Sequence, residues 1–234
     1  MEGRITAKHL NRYITIALFC ALAYASTLIF RIPVSFLTFD LKDAIIVTGA
    51  MFFGPVAGIV IALLTSLIEL TISSTGIYGL IMNFSSSAVF ALVSSLFYTY
   101  KKRLSRAILG LCVGVLSMTA VMLLLNIFVT PFYMGVDRSL VISMIPTLFL
   151  PFNLIKGTIN ASLTMVIYKP ISNALNRSGL IHLYPSKCKR EKKTHGKLSI
   201  VISLVSVAIA VACILILILV FDGKFVFFGL RLVQ

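Results

Sequence analysis

The chain has 234 residues, 59% of them hydrophobic and only 12% charged, with a formal net charge of +14. No soluble domain of this length hides so much apolar surface, so the composition makes the bilayer its solvent. Such a charge usually points to nucleic acid, but its placement along the chain argues against that partner.

In chain order, residues 1–12 read as a cytoplasmic tail carrying Arg4, Lys8 and Arg12. The first span is expected at about 13–30. Its basic start and Ala23-Tyr-Ala25 before Ser26 have the look of a secretory signal. The apolar run continues past that point to Phe30, which favours a retained helix. Ala17, Ala21 and Ala25 form a ladder of small residues at every fourth position. Such a stripe either admits a second helix at close range or serves packing inside the protein.

Residues 31–43 are amphipathic and too polar to span, so they are expected as a loop, with Asp43 capping the next helix. Spans 2 and 3 follow at about 44–53 and 55–73, joined by Phe53-Gly-Pro-Val-Ala-Gly58. Span 2 is short for a crossing and needs its ends covered by loops or neighbours. A turn-rich stretch at 73–79 leads to span 4 at about 80–100. The basic cluster 101–106 separates it from span 5 at about 107–129. A loop at 130–138 precedes span 6, whose start carries Pro146 and Pro151. Residues 170–197 form a basic linker. The run 198–221 reads as a seventh, lipid-facing span, followed by a tail outside.

Between 140 and 168 the only charged residue is Lys156. An ammonium at that depth costs at least ~2.5 kcal/mol on insertion scales, so it has a partner or a task. Asn153, Lys156 and Asn160 share one helical face. Lys156 lies roughly 20 Å above the inner boundary expected at Lys169, Glu69 about 22 Å above the turn at Gly54, and Asn83 and Asn126 roughly 27 and 30 Å from the inner side. In a core of ~30 Å, four spans thus place their strongest polar group in the same half. The expectation is a pocket open to the outside, with Glu69 and Lys156 as an ion pair. For Asn83 and Asn126, tying helices together is as good a reading as touching a ligand.

Fifteen of the 21 Lys and Arg fall on one side of this arrangement; Arg31, Lys42, Arg138, Lys224 and Arg231 fall on the other. By the positive-inside rule the N-terminus is cytoplasmic, and the basic segments face anionic lipid or a cytoplasmic partner. The sequence has no phosphate-binding G-x-x-x-x-G-K-[ST] loop, no H-E-x-x-H and no Ser/His/Asp constellation. The four cysteines show no metal-ligand spacing. Neither catalysis, nor a metal, nor a cofactor is expected.

Phe39-Asp-Leu-Lys-Asp43, Phe53-Gly-Pro-Val-Ala-Gly58, Gly79-Leu-Ile-Met-Asn-Phe84, Asn126 with Pro131-Phe-Tyr-Met-Gly135, and Pro151-Phe-Asn-Leu-Ile-Lys-Gly157 carry a family likeness over roughly 10–170. The chain resembles an S component of an energy-coupling factor (ECF) vitamin importer, particularly the riboflavin branch. The resemblance implies an all-α integral membrane protein, a six-helix S-component bundle to which an additional C-terminal transmembrane helix is attached. It implies a transmembrane coupling subunit and two cytoplasmic ATPases as partners, in a bacterial plasma membrane, with riboflavin as transported substrate. It implies ligand contacts from Asn153, Lys156 and Asn126, closure of Thr38, Phe39, Asp40 and Leu41 over the ligand, and docking of the coupling subunit on Ala17, Ala21 and Ala25. Tyr78 and Asn83 complete the candidate site. Phe39, Tyr78, Phe84 and Phe128 are candidate walls for an apolar tricycle. The likeness departs at Thr65-Ser66, where many riboflavin members have Lys-Asn, and at Leu80, where a glutamate is common. The alternatives are an S component for another vitamin or small solute, a membrane-embedded lipid-modifying enzyme using Lys156 and Glu69, or a purely structural assembly subunit.

Overall fold

A computed structural model describes residues 2–34, 37–73, 75–100 and 103–177, with 204–209, 211, 212, 215, 226, 227, 230 and 231. Helix α1 covers Glu2–Ile29, so it begins inside the segment expected as a tail. The segment expected as a plain loop instead forms a short antiparallel hairpin, β1 Ile32–Val34 against β2 Leu37–Phe39, with Ile32 opposite Phe39. Ile32, Val34, Thr38 and Phe39 suit an extended backbone, and Pro33 is tolerated because a two-stranded ribbon has only edges.

Helix α2 spans Lys42–Phe53 and α3 spans Pro55–Leu70. Between them Gly54 takes φ 95° and returns its N–H to Ala50 O, and Pro55 opens α3 where no N–H is needed. Helix α4 spans Gly76–Tyr100 and α5 spans Leu104–Met134, the latter running through Pro131 and ending at Gly135 in the left-handed region. Both are longer than expected and absorb most of the anticipated loops. Helix α6, Arg138–Met144, passes through a π-helical turn at Ile145–Phe149 into α7, Leu150–Arg177. Pro146 lies within that turn and Pro151 just after it, and neither can donate to the carbonyl four residues back. The wider ring, with Leu150 N–H on Ile145 O, accommodates them. Helix α7 continues through Lys169 and Pro170 rather than stopping there.

Among the described residues, four helical stretches are long and apolar enough to cross a membrane: Leu10–Ile29, Gly76–Tyr100, Leu104–Met134 and Arg138–Ala174. The shorter Pro55–Leu70 is also apolar. The molecule is thus a multi-pass helical membrane protein of seven described α-helices. Of the expected seventh span, 204–209, 211, 212 and 215 are helical; the rest of that span and 178–197 of the basic linker lie outside the described residues. A second small hairpin pairs Val226–Phe227 with Leu230–Arg231.

At 12 residues α2 is about 18 Å long. It is buried on nearly every face because it packs against α1, α3, α4 and α7. That enclosure explains how so short a helix sits at membrane depth: its neighbours, not lipid, cover its ends. Glycines permit the approach. A Cβ on Gly58 of α3 would run into Ala50 Cβ and stand 3.2 Å from Ala91 Cβ. Outside the core, Val56, Val60, Leu63, Leu64 and Leu67 of α3 remain exposed, the stripe a lipid-facing helix presents.

The two ends of the bundle differ. Where α2, α4 and α7 approach the start of α1, Tyr98 and Tyr168 share a hydroxyl hydrogen bond, Phe52 stacks on Tyr168 at 4.9 Å, and Arg12 donates to Phe53 O at 3.2 Å. That end is closed by aromatic packing. The opposite end is hollow.

Candidate functional site

At the hollow end, the last turns of α1, α3 and α5 meet the first turns of α2, α4 and α7 beneath the β1–β2 hairpin. They line a partly open cavity of about 130 Å³. Its polar lining includes Thr27, Asp40, Lys42, Glu69, Asn83, Asn153 and Lys156; Leu37, Met82, Met122, Tyr133 and Phe152 supply apolar wall. The convergence follows from chain direction. Alternate helices run oppositely, so polar residues late in one helix and early in the next arrive at the same depth.

Lys156 Nζ donates to Asp40 Oδ2 at 2.9 Å, and both groups are buried. The expected Glu69–Lys156 pair is not formed. Glu69 instead accepts from Lys42 Nζ, from Thr27 Oγ1 at 3.0 Å and from Asn83 Nδ2 at 3.3 Å. Lys42 also stands 3.9 Å from Asp40 Oδ2, so Asp40 links the two ammoniums. The reason is geometric: the hairpin folds Asp40 down between α7 and α2 and brings a nearer carboxylate to Lys156. Burial alone would raise the Asp40 carboxyl, but Lys156 and Lys42 beside it outweigh that cost and hold it below the usual carboxylate range. Lys42, expected among the external charges, is 1% exposed and belongs to the site.

Asp43 does not cap α2. It lies in the first turn, fully enclosed, and accepts a hydrogen bond from Ser87 Oγ, while Leu41 occupies the cap position without a side-chain bond. Its negative charge still sits at the positive end of the helix, as expected.

The remaining candidates divide. Thr38, Asp40, Asn83, Asn153 and Lys156 line the cavity; Phe39, Leu41, Tyr78 and Asn126 do not. Phe39 packs with Phe152, Ile155 and Ile159, and Leu41 leans on the same cluster. Tyr78 is 43% exposed and sits 6.5 Å from the ring of Tyr133, which does reach the cavity. Asn126 donates to Met122 O at 2.7 Å and accepts from Thr130 Oγ1 at 2.9 Å, so its amide is engaged within its own helix. Asn153 likewise donates to Phe149 O at 2.8 Å, though it also lines the cavity. The suggested walls Phe84 and Phe128 are elsewhere: Phe84 packs on the main core and Phe128 is exposed beneath Arg138. Missed at the sequence level were Lys42, Met82, Met122, Tyr133 and Phe152. Lys42 carried a readable signal, since it opens a helix with no polar face on which it could be solvated.

On α1, Ala17 and Ala21 lie exposed and Ala25 half-buried. The ladder therefore faces away from the core, and packing within this bundle does not account for it.

Apolar helices around a charged, hydrogen-bonding cavity at one end define a membrane-embedded solute-binding protein. Comparison with known proteins narrows the class. A family profile described as "ECF transporter, substrate-specific component" matches residues 11–168. The chain is 32% identical over 190 residues to the riboflavin transporter RibU of Staphylococcus aureus, covering 76% of this chain and all of that protein. It is 30% identical over 150 residues to the riboflavin transporter RibU of Streptococcus thermophilus, covering 60% of this chain and 71% of that one. A solved structure described as "Structure and mechanism of the S component of a bacterial ECF transporter" superposes with a TM-score of 0.62 at 32% identity, covering 72% of this chain and 99% of that one. The chain belongs to the substrate-specific (S) components of ECF transporters. It is a transporter subunit by family, not a member of an enzyme family.

Proposed function

We propose that this S component captures riboflavin, or a closely related flavin, from outside the cell and delivers it inward with its ATPase partners. The observation that carries the reading is the cavity chemistry: Lys156, Asn153 and Asn83 present polar groups beside Met82, Met122, Tyr133 and Phe152. A flavin needs both, donors for its carbonyls and polyol and apolar wall for its tricycle. Similarity to two riboflavin transporters supports the same choice.

A cavity near 130 Å³ is close in size to one that takes a benzene-sized guest. A tricycle therefore enters only if the hairpin gives way, and Thr38 and Asp40 sit where that lid closes. The aromatic packing at the opposite end offers the solute no second exit. In this reading the N-terminus is cytoplasmic, the hollow end faces outward, Arg138–Arg177 acts as one sixth span, and 198–221 adds a seventh. The exposed Ala17–Ala21 edge of α1 is the docking face for the coupling subunit, since a small-residue stripe lets a foreign helix approach its backbone. No cofactor takes part; riboflavin is cargo.

The test is uptake. In a riboflavin-requiring host that supplies a coupling subunit and two ATPases, this chain restores growth on low riboflavin. Growth that stays dependent on high riboflavin, with the chain in the membrane, contradicts the reading. An S component for another vitamin would instead rescue the corresponding requirement.

A further inference from the structure

One buried side chain near the cavity touches none of its surface yet holds three of the elements that make it. Asn160 is fully buried on α7, one turn beyond Lys156. Its Oδ1 accepts from Ala44 N at 3.0 Å, and its Nδ2 donates to Asp40 O and to Lys156 O, each at 3.0 Å. Helix α2 begins buried, and its cap residue Leu41 offers no side-chain acceptor. The first N–H groups of a helix need outside partners. Asn160, 116 residues away, supplies one. Thr164, a turn further along, reaches Ala44 O at 3.4 Å and reinforces the contact.

The same amide therefore performs two separable tasks. Its oxygen caps α2, and its nitrogen ties the Asp40 backbone to α7. Asp40 is then fixed to α7 twice, by Asn160 at the main chain and by Lys156 at the carboxylate. Because Asp40 directly follows β2, this double tie anchors the foot of the hairpin.

We propose that Asn160 is a positioning residue that locks the hairpin to α7 and thereby sets how long a solute stays in the cavity. The proposal rests on the reading that the solute enters beneath the hairpin. Asn160 does not contact the solute; it controls the lid's release. Its loss therefore speeds dissociation, and association as well, because entry also needs the hairpin open.

The experiment uses the full chain in detergent with Asn160→Asp and Asn160→Ala. Aspartate keeps the oxygen that accepts from Ala44 N–H and places negative charge at a helix N-terminus, so α2 stays capped. It loses both donated bonds. Stopped-flow flavin fluorescence is expected to show riboflavin leaving both variants about tenfold faster, with association also faster than in the parent. A role confined to capping α2 predicts otherwise: Asn160→Asp would match the parent in off-rate. That result overturns the proposal, as would an unchanged off-rate in both folded variants or failure of both to fold. If the parent chain binds no riboflavin, the proposed substrate fails, and hydrogen exchange decides the lock separately. Amides of 37–40 then exchange faster in Asn160→Asp if the lock exists; unchanged exchange refutes it.

Discussion

Lys42 and Glu69, 27 residues apart in sequence, are bonded to each other in the interior, where both are nearly excluded from solvent. Removing one partner of such a pair strands a charge, whereas removing both leaves a neutral if less specific interior. Lys42→Met alone is expected to cost about 3–5 kcal/mol in a reversible unfolding measurement. Lys42→Met with Glu69→Gln should recover at least about 1 kcal/mol of that loss. Strict additivity of the two changes would show that the pair is not coupled.

The partition of charges into Lys156–Asp40 and Lys42–Glu69 forecasts a second outcome. Exchanging Glu69 and Lys156 would be tolerated if those two faced each other. In the observed arrangement the exchange sets a carboxylate against Asp40 and a lysine against Lys42. Folded protein should be lost, as read by monodisperse elution from a sizing column. A well-folded exchange variant would mean the partners are assigned wrongly.

Close packing around α2 gives a third. A side chain on Gly58 drives into Ala50 and Ala91, two positions with no flexible end to yield. Gly58→Val should destabilise by about 1–3 kcal/mol or more. At Gly54 nothing lies within 4 Å of an added Cβ, so Gly54→Ala costs only backbone strain, from φ 95° with ψ 170°, about 1–3 kcal/mol. The thermal melt of Gly58→Val should fall clearly below that of the parent; a parent-like melt would point to free space at Gly58.

The closed end provides a control. Tyr98→Phe deletes the hydroxyl pair with Tyr168 but leaves the Phe52–Tyr168 stack. A loss of about 1 kcal/mol in stability is expected, with solute affinity unchanged because the cavity lies at the other end. A large fall in affinity would show that this end communicates with the site.

Much of this was legible in the chain. Lys156 was visible because one ammonium in a long apolar run has few explanations; Asn83 followed from depth along its helix, and Asn153 from sharing the helical face of Lys156. The short span 2 was read as enclosed, and α2 is. Lys42 was not recovered, because charge counting assigned it to solvent; only the hairpin, itself unseen, folds the chain so that Lys42 turns inward. The hairpin escaped notice because three-residue strands carry almost no periodicity and Pro33 argues against a strand. Partner choice for Glu69 was equally hidden: depth says which groups share a layer, but azimuth around the bundle decides which of them meet. Asn126 has the right depth, yet Thr130 and Met122 hold its amide along its own helix. The π turn at 145–149 needed the two prolines to be read together, as one register shift rather than two separate helix starts.

The most direct measurement is equilibrium binding of riboflavin to the purified full-length chain, followed through quenching of flavin fluorescence, beside Lys156→Ala. The account predicts saturable quenching at one site per chain. It also predicts an affinity at least about tenfold weaker in the variant, because an ammonium that serves both Asp40 and the solute is gone. Folded parent protein that leaves flavin fluorescence untouched, or a folded Lys156→Ala that binds as tightly as the parent, would contradict it.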